Sequence, residues 1–250
     1  MDMLKITEKP ETDESIEEYE YHSYKPFAGT DLNRPGEIRI NIETQDLFTH
    51  PSESYLVFEG KLVKNADDTE YANADVITLT NNAMMHLFSN IKYQLSGQEI
   101  ESLFHPGQTT TMLGLLKFPD DFQKSTGLNL FWFKDTGATA HLQNNVGFAA
   151  RQIYIIQKPD PKGTFSFRVP LKHIFGFCDD YEKVVYGFKH QQTLVRKGDN
   201  DAIFRDAATD AGNVVLSKLS WYMPHVTPNL QEKFALYKTI ESKSSLPVGY

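Results

Sequence analysis

The chain has 250 residues, of which 40% are hydrophobic and 12% aromatic, and its formal net charge is −8. This apolar content is enough to bury a packed core, so we expect a folded protein rather than a disordered one. No run of about 18 apolar residues could span a bilayer, and the N-terminus lacks a secretory pattern, so we expect a soluble protein made in the cytoplasm. Cys178 is the only cysteine, which excludes an internal disulfide.

The negative charge is concentrated at the N-terminus. The first twenty residues hold eight acidic and two basic side chains. This composition is typical of solvated disorder, so residues 1–23 are predicted to form an acidic disordered N-terminal arm. In the rest of the chain Lys and Arg are scattered without a basic block, which argues against specific binding of nucleic acid.

From Tyr24 onward, short apolar runs are separated by turn residues, and their period of two predicts β-strands. In chain order, the main predicted strands lie within residues 37–44, 52–60, 91–95, 153–156, 165–171, 183–196 and 213–226. Helices are expected only as short accessories. One candidate is QTTTMLGLLKF, where Met112, Leu115 and Leu116 have helical spacing, and AMMHLFSNI is a second.

The number and spacing of the predicted strands favour one fold class. About eight strands are separated by long loops at 65–75, 118–147 and 198–213, which suits a jelly roll better than an up-and-down barrel with its short regular hairpins. We therefore predict an all-β protein, an antiparallel jelly-roll β-sandwich with short accessory helices, over residues 24–228.

The histidines do not form a recognisable metal motif. Neither HExxH nor the short HxH spacing is present, so no metal-ligating residue is predicted. All eight are isolated in the sequence: His22, His50, His86, His105, His141, His173, His190 and His225. Asp199 begins a stretch that faintly resembles a calcium loop, but Phe204 stands where further oxygen ligands would be required, so a polar turn is predicted.

Signatures of catalysis and of cofactor binding are also missing. The sequence has no GxSxG, GxGxxG or GxxxxGK[ST] segment, so no catalytic or cofactor-binding residue is predicted. Cys178 precedes Asp179 and Asp180, whose charges raise the pKa of a thiol and so oppose its activation. Cys178 is therefore interpreted as a small core residue.

One aromatic cluster has two interpretations. The segment LNLFWFKD places Leu130, Phe131, Trp132 and Phe133 together in a loop-rich stretch. An exposed patch of this kind marks an interface, whereas the same residues could form a strand buried within the fold. The sequence leaves both possibilities open.

Several blocks of the sequence together resemble a known family. They are ETQDLFTHPSESYLVFEGKL, NNAMMHLFSNIKYQLSGQEIES, PGQTTTMLGLLKFP, GFAARQIYIIQKP, GTFSFRVPLKHIFGFCDDYEKVVYGFKHQQTLVRKGDNDAIF and SWYMPHVTP. In this order they resemble the major capsid protein of Polinton/Maverick elements and their adintovirus-like relatives, from about Tyr24 to the last residue. The resemblance implies a double jelly roll, three chains of which form a pseudo-hexagonal capsomer in an icosahedral shell.

The resemblance covers only the N-terminal half of such a protein. Family chains continue beyond ESKSSLPVGY through a second jelly roll, so residues 229–250 are predicted to be the linker at the start of that missing domain. The resemblance implies no catalytic residues.

The expected function is therefore that of a structural capsid subunit rather than an enzyme. We expect it to self-assemble as a homo-oligomer, by resemblance a homotrimer, and to meet a penton or minor capsid protein. The expected location is the virion, after synthesis in the host cytoplasm and assembly there or in the nucleus. No cofactor, membrane span or specific nucleic acid is predicted. The alternative is a non-enzymatic β-sandwich module that binds carbohydrate or protein through the LNLFWFKD aromatics, and a metal-dependent enzyme of the cupin type is the third hypothesis.

Overall fold

The computed structural model describes residues 15–136 and 145–242. Within them the strands are β1 (Ile16–Tyr24), β2 (Gly36–Ile42), β3 (Phe48–Thr49), β4 (Tyr55–Lys64), β5 (Ile77–Leu79), β6 (Phe88–Leu95), β7 (Gln98–Phe104), β8 (Thr164–Pro170), β9 (Val185–Tyr186), β10 (His190–Arg196), β11 (Ile203–Arg205) and β12 (Gly212–Pro228). Parts of three predicted features lie outside these residues: positions 1–14 of the arm, His141 in the loop 118–147, and positions 243–250 of the linker.

The helices are short and fall between the strands. The α-helices are α1 (Ala83–His86), α2 (Pro106–Lys117), α3 (Thr126–Asn129), α4 (Val146–Gln152), α5 (Gly176–Asp180) and α6 (Leu230–Glu241). Single 3₁₀ turns lie at Pro51–Glu53, Phe122–Lys124, Leu171–His173 and Asn200–Ala202, and a π-helical turn, Ile153–Gln157, continues α4.

Two antiparallel sheets form the body of the protein. In the first sheet, β12 pairs with β4 and β3 along one edge and with β1 along the other, while β8 extends the sheet beyond β4 and β9 beyond β3. The second sheet has the order β2-β10-β6-β7. The long strands therefore lie as β1-β12-β4-β8 against β2-β10-β6-β7, and this strand order is that of a jelly roll. The predicted jelly-roll sandwich is confirmed.

The connections between strands gather at two ends. The β1–β2, β4–β6, β7–β8 and β10–β12 connections leave the sandwich at one end, which we call the loop end. There β5, from the second connection, pairs with β11, from the fourth. At the opposite end, the termini end, β1 begins and β12 runs into α6.

The core lies between the two sheets. Ile38, Ile40 and Ile42 of β2 are buried at alternate positions, as predicted, and face Leu56, Phe58 and Trp221 of the first sheet within one continuous cluster. Burying a side chain of this size contributes about 1.5–3 kcal/mol. The face-to-face burial of the alternating runs is therefore what holds the sandwich together.

The predicted disordered arm is wrong in its last part. Residues 16–23 belong to β1, which pairs with β12 from Ile16 opposite Pro228 to Tyr24 opposite Trp221. The acidic residues of this strand alternate with tyrosines, and the Tyr21 ring lies 5.4 Å from the Tyr55 ring of β4. Composition alone missed the strand because ladder hydrogen bonds and ring contacts outweigh the local excess of negative charge.

Two predicted strands are also wrong, at least in part. Residues 153–156 form the π-helical turn instead, which buries Ile155 and Ile156 side by side; a short apolar run does not distinguish strand from helix. The predicted strand 183–196 is interrupted at Gly187, whose φ of +84° is left-handed. Only β9 and β10 remain of it.

Candidate interaction surfaces

The described histidines are distributed over the fold rather than gathered at an ion site. No group of at least three His, Cys, Asp or Glu side chains is placed to hold a metal within the residues that the structure describes. The closest pair is His22 and His225, whose rings stack at 4.1 Å across β1 and β12. Tyr24 Oη lies 2.9 Å from His225 Nε2, so this pair is part of the contact between the two strands.

His190 is the most deeply buried histidine of the termini end. Its Nδ1 lies 2.7 Å from Tyr93 Oη and its Nε2 lies 2.9 Å from Thr49 Oγ1. Burial, with a smaller effect of His225, lowers the pKa of His190 to about 4. The side chain is therefore neutral at pH 7 and joins the two sheets by hydrogen bonds.

Cys178 and Asp199 have structural environments. Cys178 is fully buried in α5, and burial, reinforced by Glu101 and Asp179, raises the pKa of its thiol far above the usual range. Asp199 accepts hydrogen bonds from Arg196 and from the backbone N–H of Val214 at 2.7 Å, so it fixes the turn after β10.

The LNLFWFKD aromatics are buried within the same fold. Trp132 is only 5% exposed and its ring contacts Phe118 edge-on at 5.0 Å, while Phe131 packs 4.8 Å from Phe167 of β8. These rings close the side of the sandwich between the sheets. They are not available to stack on a sugar or a base, as the binding-module alternative requires.

Helix α2 turns its small side chains inward. It contacts β6 and β7, and Gly107, Thr110 and Gly114 form its buried face. A Cβ on Gly107 would lie 2.5 Å from the His86 ring, and one on Gly114 would lie 2.4 Å from the Trp132 ring. The helix therefore approaches the body so closely that only small residues fit beneath it.

The large apolar side chains of α2 point to solvent. Met112 is 61% exposed, Leu113 52%, Leu115 54% and Leu116 87%. The predicted helix is confirmed, but the stripe of Met112, Leu115 and Leu116 lies on its outer face. No charged residue interrupts the helix before Lys117, which pairs with Asp179 of α5. We call these four side chains the α2 apolar face; exposed patches of this kind are typical of interfaces.

Helix α6 presents a second, smaller apolar surface at the termini end. Asn229 caps the helix by accepting a hydrogen bond from Glu232 N at 2.8 Å. Its inward side contacts the body through Tyr237, whose ring lies 5.6 Å from that of Tyr186, whereas Leu230 and Phe234 are exposed. None of the helices within the described residues is long and apolar enough to cross a membrane.

Comparison with known proteins identifies relatives of the fold. Residues 77–250 match the family model of the double jelly roll-like domain. A search of curated proteins gives no match. Among solved structures, a chain of the Sputnik virophage cryo-EM structure aligns with a TM-score of 0.61 and 11% identity, over 92% of this chain and 52% of the other.

Two further solved structures have the same fold at a similarly low sequence identity. The Faustovirus major capsid protein aligns with a TM-score of 0.56 and 11% identity, over 95% of this chain and 59% of that protein. PBCV-1 VP54, fitted into a reconstruction of the virophage Sputnik, aligns with a TM-score of 0.50 and 12% identity, over 87% of this chain and 44% of the other. The chain thus spans about half the length of the chains it matches. Since the family model covers well over half of the sequence and the strand order is that of a jelly roll, the chain belongs to the double jelly roll-like domain family.

Proposed function

We propose that this protein is a structural capsid subunit that acts by self-association and not as an enzyme. Its family and its likeness to the Faustovirus major capsid protein support this role. The strands of the jelly-roll body are hydrogen-bonded into two sheets, and the β5–β11 pair joins two of the connections at the loop end. A rigid body with distinct outward surfaces is suited to tiling a shell.

The α2 apolar face is the observation that carries this proposal. It lies on the flank of the sandwich next to β7, where it can meet a neighbouring copy side by side. The opposite flank is formed by β1 and β2 and has a different, charged surface. Contacts between unlike flanks are heterologous, and heterologous contacts close into rings when the rotation between copies permits.

The finer features of the role follow from the family resemblance. We propose that three chains form a pseudo-hexagonal capsomer of Polinton/Maverick type. In this proposal the jelly roll comprises residues 24–228, extended back to Ile16, and residues 229–250 lead from it toward a second jelly roll. The virion is the proposed location, assembly follows synthesis in the host cell, and a penton or minor capsid protein is a further proposed partner.

Substitution of the α2 apolar face tests the role. We expect the full chain to form trimers or larger assemblies in sedimentation velocity and electron microscopy, and Leu116→Glu to shift it toward monomer, because a buried unpaired carboxylate opposes association. Gln98→Glu, which adds the same charge at the exposed β6–β7 hairpin, should leave assembly unchanged. A chain that stays monomeric at every concentration would contradict the proposal.

A further inference from the structure

Strand β8 has one edge that no described strand covers. β4 pairs along the other edge. Just outside the two ends of β8, the carbonyl of Gly163 accepts a hydrogen bond from Leu62 N and the N–H of Leu171 donates one to Ser54 O, so both groups point toward β4. In an antiparallel strand, the backbone N–H and C=O groups of successive residues point to alternate edges. The backbone groups of every second residue from Gly163 to Leu171 therefore point to β4, and those of the residues between them point outward. The outward-facing groups are the N–H and C=O of Thr164, Ser166 and Arg168.

A groove of about 250 Å³ lies along this open edge. Thr164 and Ser166 line one side of it, and Leu128, Phe131 and Tyr154 line the other. The rings are fixed by their own packing. Tyr154 stacks on Phe133 at 5.4 Å, and Phe131 packs on Phe167. Phe131 and Phe133 are buried, so the exposed ring of the groove is that of Tyr154, which is 43% exposed. It lies beside the outward backbone groups of β8, which have no hydrogen-bond partner among the described residues.

A cation lies over Tyr154, one of the residues that line the groove. Lys158 Nζ is 4.8 Å above the Tyr154 ring, and no carboxylate of the described residues forms an ion pair with it. The N–H of Gly163 donates to Ile155 O at 2.8 Å, which places this turn beside the first residue of β8. A segment running antiparallel to β8 would have its C-terminal end near Lys158.

We propose that the groove binds an extended segment of a partner polypeptide, which adds to the first sheet as a strand antiparallel to β8. An extended backbone is the ligand that can bond to the outward groups of alternate β8 residues, and its alternate apolar side chains would enter the groove beside the Tyr154 ring. A carboxylate at its C-terminal end complements Lys158. This partner is distinct from the second copy proposed at the α2 apolar face, and neither proposal depends on the other.

Two fluorescein-labelled hexapeptides test the site on the full chain. Both alternate threonine and phenylalanine, but one ends in aspartate and the other in lysine amide. In fluorescence polarisation we expect the aspartate peptide to bind more tightly, by up to about fivefold, as expected for one exposed ion pair. Lys158→Glu should reverse the preference. Failure of both peptides to bind the native chain would overturn the proposal.

Ser166→Pro tests the strand geometry. Proline removes the outward N–H of residue 166 but leaves the ladder with β4 intact, since that N–H points away from it. We expect binding to weaken more than about tenfold with thermal unfolding unchanged, whereas Ser166→Ala should bind like the native chain. Equal binding by the proline variant would show that a small apolar site, not strand addition, is present. If the peptides do not bind and Ser166→Pro reduces self-association in sedimentation, the occupant is a second copy and the proposal is wrong.

Discussion

The hydrogen bonds of His190 determine which of its nitrogens carries the proton. Thr49 Oγ1 donates its only proton to Val185 O at 3.0 Å, so it accepts from His190 Nε2. Tyr93 Oη then donates to Nδ1. The neutral ring thus uses both nitrogens, and a second proton on Nδ1 would displace the Tyr93 donor in a buried setting.

This arrangement predicts sensitivity to acid. Above pH 6.5 His190 is neutral in both folded and unfolded chains, but its pKa is lowered from 6.5 to about 4 in the fold, mainly by burial. Between these values the unfolded chain binds more protons, so the free energy of unfolding should fall as the pH falls, by about 3 kcal/mol from this residue. Urea unfolding at both ends of the range, compared with His190→Gln, measures it. Equal losses in the two proteins would show that other groups cause the effect.

Arg151 is a residue whose role the sequence could not indicate. It is fully buried in α4, where Nε donates to Leu79 O at 3.0 Å and Nη2 donates to Asp135 Oδ1 at 2.6 Å. A further bond from Nη1 reaches the carbonyl of Phe133. The side chain therefore joins the β7–β8 connection to β5 of the β4–β6 connection. In the sequence it is one arginine among scattered basic residues, because its partners are mostly backbone carbonyls, which have no sequence signature.

At the scale of elements, α2 shows what periodicity can and cannot reveal. Helical spacing correctly predicted the helix, but it does not say which face is inward. The buried face is set by Gly107 and Gly114, whose lack of a side chain lets His86 and Trp132 pack against the helix axis. The apolar residues consequently point outward, the reverse of an ordinary surface helix.

Gly114→Ala tests this close approach. Alanine favours a helix over glycine by about 1 kcal/mol, yet its Cβ would lie 2.4 Å from the Trp132 ring. We expect the clash to prevail, with a net loss of about 1–2 kcal/mol in the free energy of unfolding and a change in tryptophan fluorescence. Gly198→Ala is the matched control, since its Cβ would meet nothing within 4 Å. A Gly114→Ala protein as stable as the native one would mean that the helix packs less closely.

The strands were predictable to the extent that their burial is regular. The alternation in β2 and β8 is clear in the sequence because these strands have one buried face, and β12 was recognised from its length and its β-branched residues. β1 was missed because its side chains are mostly exposed, so its place in the sheet depends on backbone pairing with β12. The groove along β8 was missed because it requires residues far apart in the chain, such as Leu128 and Ser166.

At the scale of the whole molecule, the acidic strand β1 and the α2 apolar face lie on different flanks of the sandwich. The net negative charge is concentrated near the N-terminus and includes Glu17, Glu18 and Glu20 of the edge strand β1, where charges discourage unwanted strand pairing. The α2 apolar face is on the other flank and has no charge of its own. Two modes of assembly can therefore be distinguished, one driven by charge and one by apolar burial.

Salt dependence separates these modes. If copies associate through the α2 apolar face, raising the salt concentration from about 0.1 M to about 0.5 M should leave association unchanged or strengthen it, because screening removes repulsion between the acidic N-terminal segments. Burial of apolar surface also predicts stronger association at 25 °C than near 5 °C, since hydrophobic stabilisation weakens on cooling. Sedimentation velocity at two salt concentrations and two temperatures measures both trends, with Leu116→Glu as the variant that should lose the temperature effect. Dissociation by salt would instead indicate contacts between opposite charges and would exclude the α2 apolar face as the main subunit contact.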